Sequence, residues 1–278
     1  MRLTHPDRHA GFTLVEMVMV MVLIGVLAGL GSQMVKPAVD AYTATIKRAG
    51  LAENADLIAR RLERDLHAAL PNSIRATSDG FALEFVPVVG GGLYRSSSKS
   101  GGEGDVLRFD IADTSFDVLG PIPVYTSSQF LVITNLGTGS GSDAYSGGNR
   151  AAITVANTGD TFSTDSVPLV VSFASKQFPV PSPASRFHIV DSPVSYVCDM
   201  TTKTLKRYQG YGWNSSQLAP PPPGGTSATV SSMISACALK YSPGISSRTG
   251  LATVSLMLTN AASESMDILV QVNVPNEP

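Results

Sequence analysis

The residue types that usually carry catalysis or metal binding are few in this chain and lie far apart. The four histidines are His5, His9, His67 and His188. None stands in an HExxH pair, no CxxC pair occurs, and no Gly-x-Ser-x-Gly elbow presents a serine nucleophile. The glycine-rich stretch 137–143 lacks the Gly-Lys-Ser/Thr ending of a phosphate-binding loop, so it predicts a flexible surface loop. The sequence therefore predicts no catalytic residue, no metal site, no cofactor and no enzymatic activity.

One carboxylate stands in an unusual setting. Residues 12–35 are almost wholly apolar, yet Glu16 lies near the start of that run. A carboxylate within a membrane helix costs on the order of 3 kcal/mol, and such residues are functional by default. Because Glu16 lies only about one helical turn from Phe12, its carboxylate could instead extend to the membrane interface. Composition alone leaves both interpretations open.

The apolar run is long enough to form a membrane helix around Glu16. As an α-helix, residues 12–35 extend roughly 36 Å, and the hydrocarbon core of a bilayer is about 30 Å thick. Basic residues lie on both sides of the run, so charge does not fix its orientation. The sequence predicts a membrane-spanning helix over 12–36, preceded by a short polar stretch over 1–11.

The order of residues at the start of this helix resembles a known signature. The run Gly11-Phe12-Thr13-Leu14-Val15-Glu16 is similar to the type IV prepilin motif, a glycine followed by Phe-Thr-Leu-Val-Glu. The resemblance implies that residues 1–11 are a leader peptide, which a prepilin peptidase removes by cutting between Gly11 and Phe12. It also implies that Phe12 becomes the N-methylated first residue and that Glu16 becomes the fifth residue of the mature chain.

The same resemblance implies a role for Glu16. In a packed filament the N-terminal helices form an apolar core, where a buried carboxylate needs a positive partner. The freed amine of Phe12 on a neighbouring subunit can supply that charge. Glu16 is therefore expected to fix the register of assembly, since a misplaced subunit leaves the charge unpaired.

Partners and location follow from the resemblance as well. The expected partners are the prepilin peptidase, other major and minor pilin-like subunits, and the inner membrane. The expected location is the inner membrane, crossed once, with the C-terminal domain in the periplasm, and later a pilus or pseudopilus filament. The net charge of -2 shows no basic excess, so no nucleic-acid partner is expected.

Two other interpretations of the N-terminal segment remain. The small residues around Gly31 would suit a secretory signal peptide that is cut there. The apolar run is longer than a typical signal peptide, however, and it contains a glutamate. An anchor that is never cut fits the same length, and the residues do not separate it from a prepilin except through the motif.

A second helical pattern follows the apolar run. Pro37 is expected to kink or interrupt the helix, because proline removes a backbone donor and crowds the preceding turn. Beyond it five apolar residues recur at helical spacing on one face: Leu51, Ala55, Ile58, Leu62 and Leu66. Arg61 and Asp65 have the spacing of an ion pair along the helix, and Pro71-Asn72 is expected to end it. Residues 37–72 are therefore predicted to be the amphipathic second half of one long, bent helix.

The remainder, 73–278, is predicted to be an extracytoplasmic β-rich domain. Apolar residues alternate with other residues over 81–85, 254–258 and 266–274, which predicts strands half-buried on one side. Further strand candidates are 105–111, 129–134, 151–156, 167–174 and 185–198. The predicted fold class is α+β. It is expected to be the lollipop of type IV pilins, in which a long bent N-terminal helix packs on an antiparallel β-rich globular domain.

Two cysteines, Cys198 and Cys237, lie late in the chain. In an exported domain such a pair predicts one disulfide, and two unpaired buried thiols are the alternative. The bond would close a loop of about 40 residues and contribute roughly 4 kcal/mol in the chain-entropy model.

The residues before and after Cys198 predict a hairpin, with strands over 194–198 and 203–208. This hairpin resembles that of J-type minor pseudopilins, and 61–66 with 69–75 resembles minor pilins of the J or W type. With the ending 270–276, the chain is similar to minor pilins of the mannose-sensitive hemagglutinin (MSHA) pilus. The resemblance implies a minor subunit that primes or caps filament assembly. A minor pseudopilin of a type II secretion system is the alternative, because both systems share the N-terminal signature.

An aromatic group follows the hairpin, formed by Tyr208, Tyr211 and Trp213. Stacked aromatic side chains can bind sugars, which would suit a pilus-tip adhesin that contacts a surface glycan. Aromatic residues more often fill a small core or cover a hairpin. The sequence leaves the glycan contact as a second hypothesis.

Overall fold

The computed structural model describes residues 11–164, 166, 168–244 and 249–274. The chain divides into two compact units, Met1–Gly50 and Leu51–Pro278. Apart from Gly11, the predicted leader lies outside the described residues, and so do Pro275 and Asn276 of the chain ending. The predicted boundaries at 36/37 and 72/73 stay predictions.

The first element is one helix, α1, which comprises the 54 residues Leu14–His67. It confirms the prediction of a single long helix. Pro37 lies inside α1 with helical backbone on both sides, so the helix is not interrupted there. A proline removes one hydrogen bond and leaves the rest of the helical ladder intact. The helix ends before Pro71, with Arg64 and His67 in its last turn, where basic side chains oppose the negative end of the helix.

The described residues after α1 form antiparallel strands. In chain order these are β1 (Arg75–Ala76), β2 (Ala82–Phe85), β3 (Val88–Tyr94), β4 (Asp113–Pro121), β5 (Phe130–Val132), β6 (Arg150–Ala152), β7 (Phe162–Ser163), β8 (Leu169–Lys176), β9 (Arg186–Val190), β10 (Val194–Asp199), β11 (Thr204–Gln209), β12 (Thr226–Ser231), β13 (Ile234–Ser242), β14 (Gly250–Thr259) and β15 (Ser265–Val274). They make three sheets. The first has the order β1-β2-β10-β11-β12, the second β13-β14-β15, and the third β6-β5-β9-β3-β4-β7, with β8 paired to β4.

The apolar stripe at the end of α1 packs on the first two sheets. The stripe residues are those that the helical spacing predicts: Leu51, Ala55, Ile58, Leu62 and Leu66. They share one core with Tyr196 of β10 and Val254 of β14. Leu62 and Leu66 are fully buried, and each contributes about 2 kcal/mol through the apolar surface that it buries. The α+β class is confirmed, with a helix packed on antiparallel sheets.

The third sheet encloses a separate core. Its centre is aromatic, with Phe116 of β4 between Phe173 of β8 and Phe187 of β9 at ring distances of 5.8 and 5.3 Å. Offset and tilted ring contacts of this kind add to the burial energy. The Leu51–Pro278 unit therefore holds two main clusters of buried side chains, one under the helix and one under the third sheet.

The predicted strands are mostly confirmed, with one clear error. Strands occur within or across 81–85, 129–134, 151–156, 167–174, 254–258 and 266–274, and 185–198 divides into β9 and β10. The region 105–111 is not a strand, and β4 begins only at Asp113. The carboxylates of Asp110 and Asp113 bond to the side chain and backbone of Arg108, and such local bonds compete with a strand ladder.

Candidate functional site

The predicted cleavage site lies just before the helix begins. Gly11, Phe12 and Thr13 have no regular secondary structure, and Phe12 is 82% exposed. Oγ1 of Thr13 accepts a hydrogen bond from the backbone N–H of Glu16 at 3.2 Å. The carbonyl oxygen of Thr13 accepts one from the N–H of Met17 at 3.1 Å. Thr13 therefore caps α1, and the Gly11–Phe12 bond remains in open, non-helical chain.

Glu16 itself lies in the first turn of α1, where the helix dipole favours a carboxylate. Its side chain is exposed. In the described part of the chain, no hydrogen bond or ion pair reaches that carboxylate. The geometry thus presents an unpaired negative charge four residues after Phe12, the predicted new N-terminus.

The helix around Glu16 is apolar and uncovered. It is the single helix among the described residues that is long and apolar enough to cross a membrane, with a mean hydropathy of 2.4 in its most apolar window. No side chain of that window is buried within the protein. Leu14 is 81% and Leu27 66% exposed. A surface of this kind is stable only against lipid or other apolar helices.

A disulfide joins Cys198 of β10 to Cys237 of β13, as the cysteine pair predicts. The bond links the first sheet to the second and closes the chain between them. Cys198 is buried in the core under α1, and Cys237 packs against that core. It holds together the two sheets on which the helical stripe rests.

Asp65 links the end of α1 to the β10–β11 hairpin through hydrogen bonds. Its Oδ2 accepts hydrogen bonds from the hydroxyl of Tyr196 at 2.8 Å and from Nε of Arg207 at 3.0 Å. The ion pair with Arg61, for which the spacing is suitable, is not among the contacts of Asp65 in the described residues. Asp65 bonds across to the sheet, and Arg64 is its charged neighbour on the helix at 3.9 Å. Burial and the Asp65 carboxylate raise the pKa of Tyr196 well above its usual value, so the phenol remains a donor.

A second polar cluster lies inside the first sheet, and sequence reasoning missed it. Glu84 of β2 pairs with Arg75 of β1 and accepts a 2.8 Å hydrogen bond from the hydroxyl of Tyr211. Arg75 also donates to the carbonyl oxygens of Asn214 and Ser215 at 2.8 Å. The cluster anchors the loop after β11. The signal available in the sequence was the charge of Glu84 between apolar neighbours, which alone does not identify its partners.

The structure places the three aromatic residues of the glycan hypothesis in different environments. Tyr211 is 9% exposed, and its hydroxyl bonds to Glu84. Trp213 packs edge-on against Phe130 at 5.3 Å, with the Arg150 guanidinium 3.8 Å from its ring centre. Tyr208 is half-buried on β11 and lines a cavity of about 410 Å³. These placements favour the core-filling interpretation, and the glycan contact stays a prediction.

Of the two histidines that the structure describes, His188 lies in a β-strand, β9 of the third sheet. Its Nε2 has no hydrogen-bond partner among the described residues. Burial, together with the nearby charge of Arg186, lowers its pKa from 6.5 to about 4. The described residues contain no group of three or more side chains that could hold a metal ion.

Comparison with known families bears on the N-terminal site. Residues 6–32 match the family model described as the prokaryotic N-terminal methylation motif. The matched segment contains Gly11, Phe12, Glu16 and the first part of α1. The match supports a type IV prepilin-like protein, a class defined by peptidase processing and by assembly with other pilin-like subunits. It indicates a structural subunit with a single-pass membrane anchor rather than an enzyme. No curated protein and no solved structure matches the chain.

Proposed function

We propose that this chain is a minor pilin-like subunit of a type IV pilus. A prepilin peptidase cuts it between Gly11 and Phe12 and methylates Phe12, and the mature chain stays in the inner membrane with its C-terminal domain in the periplasm. It then enters a filament through its N-terminal helix. The observation that carries this proposal is the run Gly11 to Glu16 at the start of an uncovered apolar helix.

In this proposal Glu16 sets the register between subunits. Its carboxylate is unpaired among the described residues and stands one turn from Phe12. The new amine of Phe12 in a neighbouring subunit is the matching charge, and a buried carboxylate without such a partner is strongly disfavoured. A Glu16→Ala variant should be cut and methylated normally but should enter filaments at least about tenfold less often. A Glu16→Ala variant that assembles like the wild type would remove this role.

The particular role that we propose is priming or capping of filament assembly, as in minor pilins of the J or W type. The hairpin over 194–209, the cysteine pair and the ending of the chain resemble the O minor pilin of the MSHA pilus, and this resemblance supports the proposed role. A minor pseudopilin of a type II secretion system is the alternative assignment. Restoring filaments in a strain that lacks the MSHA-type subunit supports the first, and restoring secretion in a type II mutant supports the second.

The decisive experiment is the intact mass of the membrane-extracted protein, with and without the prepilin peptidase. The proposal predicts the loss of residues 1–11 and the gain of one methyl group, both dependent on the peptidase. An uncut chain, or a cut near Gly31, contradicts it.

A count of filaments in a deletion strain separates an assembly protein from an adhesin. Loss of filaments is expected for a priming or capping subunit. Normal filaments with lost attachment would favour the tip adhesin, whose glycan contacts would involve Tyr208, Tyr211 or Trp213. Because Tyr211 is buried and the ring of Trp213 packs against Phe130 and Arg150, Tyr208→Ala is the first variant to test for attachment.

A further inference from the structure

Among the described residues, one edge of the second sheet has no partner strand, and the hydrogen-bond pattern identifies the backbone groups along it. Strands β14 and β15 pair over ten residues without a register shift, from Gly250↔Val274 to Thr259↔Ser265. At the turn, the N–H of Asn260 donates to the carbonyl oxygen of Glu264 at 3.0 Å. Bonded and non-bonded pairs alternate in an antiparallel ladder. Even-numbered residues of β15 therefore direct their backbone groups toward β14.

The odd-numbered residues direct theirs away from it. These are Asp267, Leu269, Gln271 and Asn273, whose side chains are also exposed. Within the described residues, β15 pairs with β14 alone, and no hydrogen bond reaches the outward backbone groups of these four residues. They present N–H and C=O groups at the two-residue spacing of a β-ladder, with Leu269 66% exposed at the centre.

The opposite edge of the same sheet, strand β13, is covered by hydrogen bonds from other parts of the chain. The two edges of this sheet therefore differ. In β13 the N–H of Leu239 donates to the carbonyl oxygen of Gly80 at 2.8 Å, and that of Ile234 to Lys203 at 3.0 Å. A register shift and the disulfide at Cys237 constrain β13 further. Strand β15 has no lysine, no proline and no bulge, the devices with which proteins usually block a long edge.

We propose that the free edge of β15 binds an extended strand of another filament subunit, which adds to the second sheet. The backbone groups of β15 supply the hydrogen bonds, as in known β-strand addition. The identification of the partner as a filament subunit rests on the proposed function, whereas the site itself rests on the edge geometry.

The side chains of β15 define the chemistry of the added strand. Ile268, Val270 and Val272 are less than a tenth exposed on the core side, so the partner should place apolar side chains on that side at alternate positions. Asp267 is the one charged residue of β15, which favours a lysine or arginine opposite it on the outer side. The occupant is an extended segment that alternates apolar and polar residues and carries a basic residue near one end.

A second copy paired through its own β15 fits less well. Two identical edges that pair antiparallel are related by a half-turn. The helical segment Leu51–His67 of the second copy would then run in the opposite direction along the joined sheet. Subunits that are anchored in one membrane by the N-terminal ends of their helices run in the same direction, so a different strand is the better partner.

The test uses a labelled peptide and the full processed chain in detergent micelles. The peptide has the ten-residue length of β15, alternates valine with threonine and carries two lysines at each end, which gives it the alternation and the basic ends described above. Binding is measured by fluorescence anisotropy, with empty micelles as the blank. The wild type and the Gln271→Thr control should bind the peptide, and Gln271→Pro should bind it about tenfold more weakly.

The two substitutions at residue 271 differ in whether they keep the outward backbone N–H. Proline removes the outward N–H of residue 271 and places its ring at the edge, whereas threonine keeps the N–H and suits a strand. The ladder to β14 does not use that N–H, so both variants should unfold at similar temperatures. Equal binding by wild type and both variants, or no binding to the wild type, overturns the proposal.

A second peptide keeps the test valid if the proline variant does not fold. It has the same sequence with N-methyl groups on alternate residues, which removes the donors that would face β15. Wild-type protein should bind this peptide at least about tenfold more weakly, and undiminished binding contradicts strand addition. The peptide-binding measurements use purified protein. A negative result would therefore contradict strand addition without contradicting the processing that the intact-mass experiment tests.

Discussion

The two halves of the continuous helix α1 have opposite environments, one exposed and one packed against the rest of the chain. Over 14–50 no described side chain is buried, although most of the first half is apolar. Over 51–67 five apolar side chains are less than a tenth exposed in a core that the chain itself supplies. Amphipathic spacing therefore identifies a helix face that packs on another part of the same chain. A helix that is apolar on all sides must find its partner outside.

This comparison separates two kinds of variant. Changes in the second half of α1 and in the sheets below it should alter the free energy of unfolding. Changes in the first half should leave that quantity unchanged and alter membrane insertion or assembly instead.

The largest effect should come from the disulfide. Replacing Cys198 and Cys237 together by serine should lower the free energy of unfolding by about 4 kcal/mol, because the open chain gains conformational freedom when it unfolds. Urea unfolding followed by tryptophan fluorescence measures the change, and reduction of the wild type is the matched control. Cleavage after Gly11 should be unaffected. A loss below about 1 kcal/mol would contradict the predicted contribution of the bond.

A pair of leucines tests the two halves of α1 directly. Leu62→Ala should cost about 3.5 kcal/mol, since it leaves a cavity in a fully buried site. Leu27→Ala, at a position 66% exposed within the protein, should leave the free energy of unfolding unchanged. Thermal or urea unfolding of both variants in the same detergent gives the comparison. Equal losses would show that the first half of α1 is part of the same folding unit.

Acid should weaken the Leu51–Pro278 unit through His188. The pKa of this side chain is lowered from 6.5 to about 4 in the folded protein, so the folded state favours the neutral ring. Its contribution, on the order of 3 kcal/mol, is complete above pH 6.5 and is lost progressively as the pH falls toward 4. Unfolding of the wild type and of His188→Gln between pH 7.5 and 4 should show a flatter dependence in the variant. His67→Gln, on the exposed side of α1, is the control and should leave the slope unchanged.

The smallest effect should come from the bond between α1 and the hairpin. Asp65→Asn should cost about 1.5 kcal/mol, because it weakens the hydrogen bonds to Tyr196 and Arg207 at a half-buried site. Asp56→Asn removes an exposed pair with Arg60 on the same helix and should cost only about 0.3 kcal/mol. A similar loss in both variants would mean that Asp65 contributes no more to the free energy of unfolding than an exposed charged residue does.

Much of the architecture could be predicted from spacing alone. The stripe from Leu51 to Leu66 and the alternation over 266–274 are periodic signals that depend on one buried face, and the structure confirms both. The strand at 105–111 was wrongly predicted because apolar residues near Arg108 suggest a strand, whereas its bonds with Asp110 and Asp113 form a local turn. Periodicity does not report such local competition.

The polar contacts could not be predicted, because they join residues far apart in the chain. Asp65 meets Arg207, and Glu84 meets Tyr211, only after the strands have paired. The processing site is the opposite case. Gly11, Phe12 and Glu16 lie within six consecutive residues, so a local motif carried the information without any tertiary structure.

The Cys198–Cys237 bond has a consequence for resistance to proteases. The exposed loop after β11 lies between the two cysteines, and exposed loop tips are the usual sites of proteolytic nicking. A protease that cuts this loop would produce two fragments that remain covalently joined, with the strands of both sheets still in place. The nicked protein would migrate as one species without reductant and as two with it. Such a subunit would tolerate a cut in this loop without losing its C-terminal strands.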